Sequence, residues 1–190
     1  TPFTWTLRDR ERILDLFEQV TGARLLYNYI WPGGLAHDLP PNFINNATEF
    51  LDYFEPQIVE YNNLLTTNKI FIERAADVGI IPADVGINFG VSGPSLRASG
   101  VDYDLRKTEP YSIYDKFDFD VPLGEGTMGS VGDCWDRYYV RILELTESIK
   151  IIKQALDQIP DGDVHEAMPK KVVIWRLWKY YDRIRSILST

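Results

Sequence analysis

Apolar residues recur three and four positions apart along most of the chain, the spacing of helices that bury one face. The longest such run begins at Trp135 and ends at Ile159. Its unbroken seam predicts one long helix that packs along its whole length. Asp133 can cap the start of this helix, and Pro160 ends it. The apolar positions of the run are Trp135, Tyr138, Ile142, Leu145, Ile149, Ile152, Leu156 and Ile159.

The same spacing predicts further helices upstream, over 7–20, 44–65, 68–78 and 82–90. Pro56 lies inside the second of these and predicts a kink or a break, because its ring removes one backbone donor. Phe117, Phe119 and Val121 alternate with aspartates, which predicts a short strand with one buried face. A Pro-Gly-Gly turn at 32–34 follows a brief alternation of apolar residues. Together these patterns predict a mainly α-helical bundle with a long central helix and one or two short strand pairs.

Charge is distributed unevenly along the 190 residues. Residues 169–190 hold six basic and one acidic residue, a net charge of +5, so the remaining residues carry −13 of the total of −8. An acidic body argues against nucleic acid as a partner, because phosphate binding needs a cationic surface. We therefore predict a helical core over 1–169 and a basic, aromatic tail helix of unclear origin over 170–190. This tail either packs on the bundle or lies on a membrane surface.

Few residues are suited to metal binding or nucleophilic catalysis. The single cysteine, Cys134, rules out a multi-cysteine metal site within this sequence. Its place in the first turn of the long helix can favour a thiolate, but a buried, inert thiol is the preferred interpretation. His165 lies in a polar turn and is expected to be solvated. We therefore predict no metal ligand and no catalytic residue in this chain. No apolar run approaches the roughly 18 residues that indicate a membrane span.

The glycines of Gly124-x-Gly126-x-x-Gly129 match the fingerprint of a dinucleotide-binding loop. A nucleotide-binding enzyme is one hypothesis that rests on this match alone. A true fingerprint needs its third glycine to open the helix that holds the pyrophosphate, whereas the helix here starts near Asp133. We therefore interpret the loop as a flexible, glycine-rich insertion.

The segment Gly90–Pro122 combines glycine turns, three cationic residues and several tyrosines, with no long helical pattern. The crowding of Arg97, Arg106 and Lys107 predicts ion pairs at an interface or at the wall of a pocket. Such a segment is difficult to explain as plain core.

This segment resembles, nearly residue for residue, the signature of the hydrogenase-like large subunit of NADH:quinone oxidoreductase, respiratory complex I. The resemblance runs from Thr1 to about Pro169. The other segments that carry it are RERILDLFEQVTGARLL at 10–26, PGG at 32–34, DLPP at 38–41 and GDCWDRYYVRILELTESIKIIKQAL at 132–156. Four residues match the family's DRYxxRxxE pattern on the long helix, and we interpret them as a buried ladder of ion pairs. They are Asp136, Arg137, Arg141 and Glu144.

The resemblance implies the fold of the nickel–iron hydrogenase large subunit. The two separated cysteine pairs that hold nickel there are missing from this sequence, which excludes hydrogenase activity. It further implies the central part of a subunit that forms a wall of the quinone cavity in a proton-translocating enzyme. The implied partners are other complex I subunits, chiefly one that holds an iron–sulfur cluster, with quinone at the subunit interface. This chain itself would bind no cofactor. The implied location is peripheral, on the cytoplasmic face of the bacterial inner membrane or the matrix side in mitochondria.

Many members of the resembled family carry a histidine in the loop after the PGG turn, near the terminal cluster of the partner. His37 takes this place, beside the acidic Asp38, with Ala36 as the alternative register. Relatives usually have an arginine before PGG, where this chain has Trp31. The family's quinone-headgroup histidine and tyrosine fall upstream of Thr1. We therefore expect the chain to be a piece of the subunit that is inactive alone.

An alternative from another class is a non-catalytic helical scaffold or interaction domain. It would use the seam Trp135–Ile159 to bind a helix of a partner. The alternative explains the periodicity but leaves the segment Gly90–Pro122 without a purpose. A seam that is covered by the chain's own helices would count against it.

Overall fold

The computed structural model describes residues 2–165. The chain divides into a larger unit, Thr1–Tyr27 with Leu39–Asp161, and a smaller unit, Asn28–Asp38 with Gly162–Thr190. The expected boundary between a core and a tail at 169/170, and the tail helix itself, lie outside the described residues.

Helices make up most of the larger unit, which confirms the mainly α prediction. A π-helical turn, Asn62–Thr66, extends the second helix, and a 3₁₀ turn, Tyr114–Lys116, follows the sixth. The α-helices are α1 Pro2–Thr21, α2 Phe43–Tyr61, α3 Lys69–Ala75, α4 Ala83–Asn88, α5 Gly93–Ala98, α6 Leu105–Thr108 and α7 Cys134–Asp157. No helix among residues 2–165 is long and apolar enough to cross a membrane.

Two helices differ from their predicted bounds for local reasons. The second helix continues through Pro56 without a break. Pro56 lies on the exposed side of α2, where the carbonyl freed by its missing donor can be hydrated. The third helix ends at Ala75 rather than at Val78. Asp77 has a φ of 57° and donates its N–H to the Asp133 carboxylate, 2.8 Å away, so the chain leaves the helical path there.

The main core lies between α2 and α7. Leu51 and Ile58 of α2 pack with Ile142 and Ile149 of α7. The predicted seam of α7 is therefore buried against helices of the same chain over much of its length. Ile152 and Ile159 of the same seam are 40 and 41% exposed, whereas Leu156 between them packs on the core, so the end of the seam is only partly covered.

The predicted strand at Phe117–Val121 is wrong in type, although its alternation is correct. Phe117 and Phe119 are buried, and the intervening aspartates face outward. The segment is extended but runs beside α7, and a helix offers no backbone ladder. Its backbone bonds to side chains instead. Asp118 N–H donates to Gln154 Oε1 at 2.8 Å, Gln154 Nε2 donates to Asp118 O at 2.7 Å, and Asp120 N–H donates to Glu147 Oε2 at 2.9 Å.

The smaller unit contains a two-stranded antiparallel sheet, β1 Ile30–Trp31 and β2 Gly34–Leu35. The strands are joined across the Pro32-Gly33 turn. On the other side of β2, the Leu35 N–H donates to the carbonyl of Val164 at 2.9 Å. A Cβ at Gly34 would overlap that carbonyl, so the close approach requires glycine. A short strand pair is thus present at the predicted Pro-Gly-Gly turn, with strands at 30–31 and 34–35.

Candidate functional site

The centre of the candidate site is Arg97, which lies near the end of α5 and is 5% exposed. Its Nε donates to Glu144 Oε1 of α7 at 2.8 Å, and its Nη2 bonds the same oxygen. Its Nη1 donates to the carbonyl of Tyr103 at 3.3 Å and lies 3.4 Å from Asp104 Oδ2. Every nitrogen of this buried guanidinium therefore has a partner from the larger unit.

Asp104 links Arg97 to a second arginine. It caps the start of α6, because its carboxylate accepts the Arg106 N–H at 2.9 Å. The same carboxylate accepts from Arg106 Nε at 3.0 Å and from Nη2 at 2.6 Å. These bonds from Arg106 hold the pKa of Asp104 below its usual value, against the opposing effect of burial. We name Arg97, Asp104, Arg106 and Glu144 the arginine cluster. Its two positive and two negative charges balance.

Lys107 stands beside this cluster and packs on an aromatic ring. Its Nζ lies 4.2 Å from the ring centroid of Phe119, and Arg106 Cζ lies 4.9 Å from the same centroid. Phe119 is 3% exposed, so the ring is a fixed support for both cations. The structure thus brings together the three cations that the sequence singled out in this segment.

Cavities flank the arginine cluster on two sides. One, of about 480 Å³, is lined by Arg97, Arg106 and Glu144, with Tyr103, Leu105 and Tyr111 among its other residues. The other, of about 440 Å³, is lined by Lys107, Asp102 and Asp120, with Asp104 between the two cavities. The three apolar residues of the first cavity are 40–52% exposed. This cavity therefore combines a charged floor with an apolar rim.

The predicted ladder of ion pairs along α7 does not form. Asp136 is buried and accepts the N–H groups of Gly126 and Gly132, at 3.0 and 3.4 Å. Arg137 donates to the carbonyls of Gly132 and Gly79, at 2.5 and 2.8 Å. Side chains of adjacent helical positions diverge, so these two turn to neighbouring loops rather than to each other.

The remaining two residues of the expected ladder also separate. Arg141 is exposed and donates to the Arg137 carbonyl and to Ser95 Oγ, the latter at 3.1 Å. Within residues 2–165, Glu144 alone of the four makes an ion pair, and its partner is Arg97 on α5. The DRYxxRxxE residues therefore tie α7 to five surrounding residues, which are Gly79, Ser95, Arg97, Gly126 and Gly132.

The glycine-rich loop 124–132 is a packed element rather than a flexible insertion. A Cβ at Gly124 would overlap the carbonyl of Ala98, and one at Gly132 would overlap the carbonyl of Ile81. Two N–H groups of the fingerprint are already bonded, that of Gly126 to the Asp136 carboxylate and that of Gly124 to the carbonyl of Arg97. Burial raises the pKa of Asp136, an effect that the bonds from Gly126 and Gly132 oppose. The loop geometry therefore argues against the nucleotide hypothesis.

Cys134 is half-buried in the first turn of α7, and its Sγ accepts from Arg137 Nη2 at 3.0 Å. In the part of the chain that the structure describes, no group of three histidine, cysteine or acidic side chains could hold a metal ion. The thiol is thus a packing and hydrogen-bonding residue at the helix start.

The other predicted site residues belong to the smaller unit. Trp31 is 42% exposed, and its Nε1 donates to Asn28 Oδ1 at 2.8 Å. His37 and Asp38 are exposed in the loop after β2. His165 is exposed as expected, and its Nδ1 lies 3.2 Å from the carbonyl of Gly33. A role for Trp31, His37 and Asp38 stays a prediction.

The sequence did not indicate a further buried carboxylate, that of Asp9. Asp9 of α1 is 1% exposed and accepts from Arg8 Nε at 2.9 Å, Tyr53 Oη at 2.8 Å and the hydroxyl of Tyr61. Burial alone would raise the pKa of Asp9, but bonds from Arg8, Tyr61 and Tyr53 lower it overall. The bond network joins α1 to α2. The sequence offered one signal for Asp104, its place directly before LRKT, which suits a helix cap. It offered no such signal for Asp9, which lies inside a helical pattern.

The chain matches the protein family described as "Respiratory-chain NADH dehydrogenase, 49 Kd subunit" over residues 1–188. It is 49% identical over 179 residues to a NADH-quinone oxidoreductase subunit of Cytophaga hutchinsonii, covering 90% of this chain and 46% of that protein. It is 52% identical over 175 residues to the corresponding NADH-quinone oxidoreductase subunit of Chlorobaculum parvum, covering 90 and 44%. The corresponding protein of Amoebophilus asiaticus is 51% identical over 179 residues, with the same coverage of 90 and 44%. The chain thus spans less than half the length of these curated relatives.

Proposed function

Because the chain belongs to the family of the 49 kDa subunit of respiratory-chain NADH dehydrogenase, we propose that it works within NADH:quinone oxidoreductase. Its contribution there is to form one wall of the quinone cavity, beside a partner subunit that carries an iron–sulfur cluster. Electrons from NADH reach the quinone through that cluster, and the complex translocates protons. The match over residues 1–188 is the observation that carries this proposal.

The geometry of the segment Gly90–Pro122 supports a role as a wall. Arg97 and Asp104 fix the segment to α7 through buried charged bonds. Phe119 and the Gln154 bonds fix its far end along the same helix. A surface built in this way is held rigidly, and rigid placement is what a cavity between subunits requires.

We propose the fold of the nickel–iron hydrogenase large subunit for the intact protein. Quinone is bound at the interface between subunits, the iron–sulfur cluster belongs to the partner, and this chain holds neither. The assembly is peripheral to the membrane, on the cytoplasmic face in bacteria or on the matrix side in mitochondria. Other complex I subunits are the partners.

Within the smaller unit, we propose that His37, Asp38 and Trp31 face the partner's cluster. His37 and Asp38 are exposed on the loop that follows β2, where a partner can reach them. Trp31 is tied to Asn28 and presents a ring where the family usually presents a cation. The cavity-facing residues of the larger unit are Arg97, Arg106 and Lys107.

The test is co-expression of the chain with the cluster-bearing partner subunit of the same organism, followed by native mass spectrometry. We expect a one-to-one complex that keeps its iron–sulfur cluster. Arg106→Gln should weaken this complex, whereas Arg10→Gln, an exposed arginine on α1, should leave it unchanged. A chain that stays monomeric beside a folded, cluster-loaded partner would contradict the proposal.

The isolated chain should show no quinone reduction with NADH. Turnover by the pure chain would refute its assignment as a wall rather than a catalyst.

The scaffold alternative has less support, because Ile142 and Ile149 of the α7 seam pack on α2 of the same chain. A seam already covered in this way cannot serve as the main surface for a foreign helix.

A further inference from the structure

The cavity lined by the arginine cluster has unused hydrogen-bonding groups at its floor. Glu144 directs both of its bonds from Arg97 to Oε1, and its Oε2 accepts no hydrogen bond from residues 2–165. Arg106 engages Asp104 through its backbone N–H, Nε and Nη2, and its Nη1 donates no hydrogen bond within the same part of the chain. Within the arginine cluster, one acceptor and one charged donor are thus left over, on two side chains that line one cavity of about 480 Å³.

The charge of this floor selects the kind of group that fits. The two guanidinium groups and two carboxylates of the arginine cluster balance one another through short contacts. A ligand that brought a net charge would lose hydration without meeting an uncompensated opposite charge. A neutral group loses less hydration, and it can bond both leftover atoms only if it contains a donor and an acceptor.

The rim of the cavity selects the rest of the ligand. Tyr103, Leu105 and Tyr111 line it and are 40, 46 and 52% exposed. Tyr111 is held in place by an edge contact with Tyr114, with ring centroids 4.9 Å apart. Aromatic side chains held in this way offer apolar faces to a flat ring.

We propose that this cavity is a binding site for a neutral aromatic carboxamide, with the amide N–H₂ donating to Glu144 Oε2 and the amide oxygen accepting from Arg106 Nη1. The aromatic ring packs on Tyr103 and Tyr111. The site lies wholly within the larger unit and does not depend on the assembly proposed above.

Three probes of nearly equal shape test the proposal: benzamide, which is neutral, benzoate, which is negative, and benzamidine, which is positive at neutral pH. Each is titrated into the ¹⁵N-labelled 190-residue chain, and the amide signals of Tyr103, Arg106 and Tyr111 are followed. We expect benzamide to shift these signals. Both charged probes should bind at least about tenfold more weakly than benzamide. No shift with benzamide, or tighter binding of either charged probe, would overturn the proposal.

Variants separate this site from non-specific contact. Tyr111→Ala should weaken benzamide binding at least about fivefold, whereas Tyr27→Ala should not, although Tyr27 is similarly exposed at 44%. Arg106→Leu should abolish the shifts, and if it prevents folding, Tyr111→Ala alone decides. Equal binding by the Tyr111 and Tyr27 variants would mean that the cavity is not the site. Since these measurements use the chain without a partner, their failure leaves the proposed function standing.

Discussion

Buried charges at single positions carry much of the organisation of the larger unit. Arg97 is the clearest example, because one guanidinium joins α5, the Asp104 loop and α7. Asp9 plays a comparable part between α1 and α2 through two tyrosine hydroxyls. In both places, removing one partner would leave a buried charge unpaired. The stability of each network is therefore sensitive to the loss of one member.

Arg97→Met should lower the free energy of unfolding by about 3–5 kcal/mol, because it leaves Glu144 and Asp104 with a partner missing in a buried place. The exposed control Arg10→Met should change it by less than about 0.5 kcal/mol. Urea unfolding followed by circular dichroism measures both. A double variant, Arg97→Met with Glu144→Leu, should recover part of the loss, since an unpaired carboxylate is then removed. An Arg97 variant as stable as the control would contradict the assigned role.

Asp104 should make stability depend on pH in the acidic range. Its pKa in the folded chain is lowered, chiefly by the bonds from Arg106. A lowered pKa means that the stabilisation is fully present above the unfolded value of about 3.9 and is lost as the pH falls through the folded value. The stability difference between the native chain and Asp104→Asn should therefore shrink below about pH 4. Urea midpoints measured between pH 3 and pH 7 test this, and a difference independent of pH would refute it.

At the scale of elements, α7 is the support on which the others are assembled. One stretch of its surface packs on α2, another bonds the arginine cluster, and its first turn holds the glycine-rich loop. The helix does this with different side chains in successive turns. Its apolar seam is accordingly unequal along its length, deeply buried at Ile149 and open at Ile152.

Replacing these two isoleucines should reveal that inequality. Ile149→Ala should cost about 2–5 kcal/mol, because it leaves a cavity between α2 and α7. Ile152→Ala, at 40% exposure, should cost less than about 1 kcal/mol. Chemical denaturation of the two variants provides the comparison. Similar losses would mean that the seam is covered along its whole length, as the sequence pattern predicted.

The glycine-rich loop should be intolerant of even one added methyl group. Gly124→Ala places a Cβ against the carbonyl of Ala98 and should cost about 3 kcal/mol, since backbone must move. Gly86→Ala is the control, because its new Cβ would meet side chains and no backbone, Leu96 Cδ1 at 3.1 Å and Ile81 Cγ2 at 3.7 Å. Neither glycine needs a left-handed backbone. Gly86 lies inside α4, where alanine gains about 1 kcal/mol of helix propensity over glycine, so only a difference larger than that reports the overlap at Gly124. Thermal unfolding of both variants measures the loss of stability. A Gly124 variant as stable as the native chain would support the interpretation of the loop as a flexible insertion.

For the molecule as a whole, the sequence predicted the helical class and its longest helix well, because repeated apolar spacing is a local signal. It failed where a partner distant in sequence decides the outcome. The alternation at Phe117–Val121 correctly predicted which residues are buried. Whether an extended segment pairs with a strand or packs on a helix depends on its neighbour, which the sequence of the segment does not specify. The DRYxxRxxE residues likewise suggested mutual ion pairs, whereas Asp136 and Arg137 satisfy loops that arrive from elsewhere.

The candidate site was predicted in part for the same reason. Arg97, Arg106 and Lys107 stood out because cations crowded among tyrosines are unusual. Asp104, which joins two of them, did not, because an aspartate before a helix reads as an ordinary cap. The cavity beside them depends on how α5, α6 and α7 meet, and no single segment specifies that arrangement.

The bonds between α7 and the extended segment have a consequence for how this family can change over time. Glu147 and Gln154 lie seven positions apart on the same side of α7. Their side chains accept hydrogen bonds from the backbone N–H groups of Asp120 and Asp118. Seven positions amount to almost two full turns, so inserting or deleting one residue between them would rotate Gln154 by about 100° and release its end. Substitutions at the exposed positions of this stretch can accumulate, but its length is fixed. Across relatives, the exposed positions of α7 between 147 and 154 should therefore vary in residue type. Insertions and deletions should fall outside this stretch.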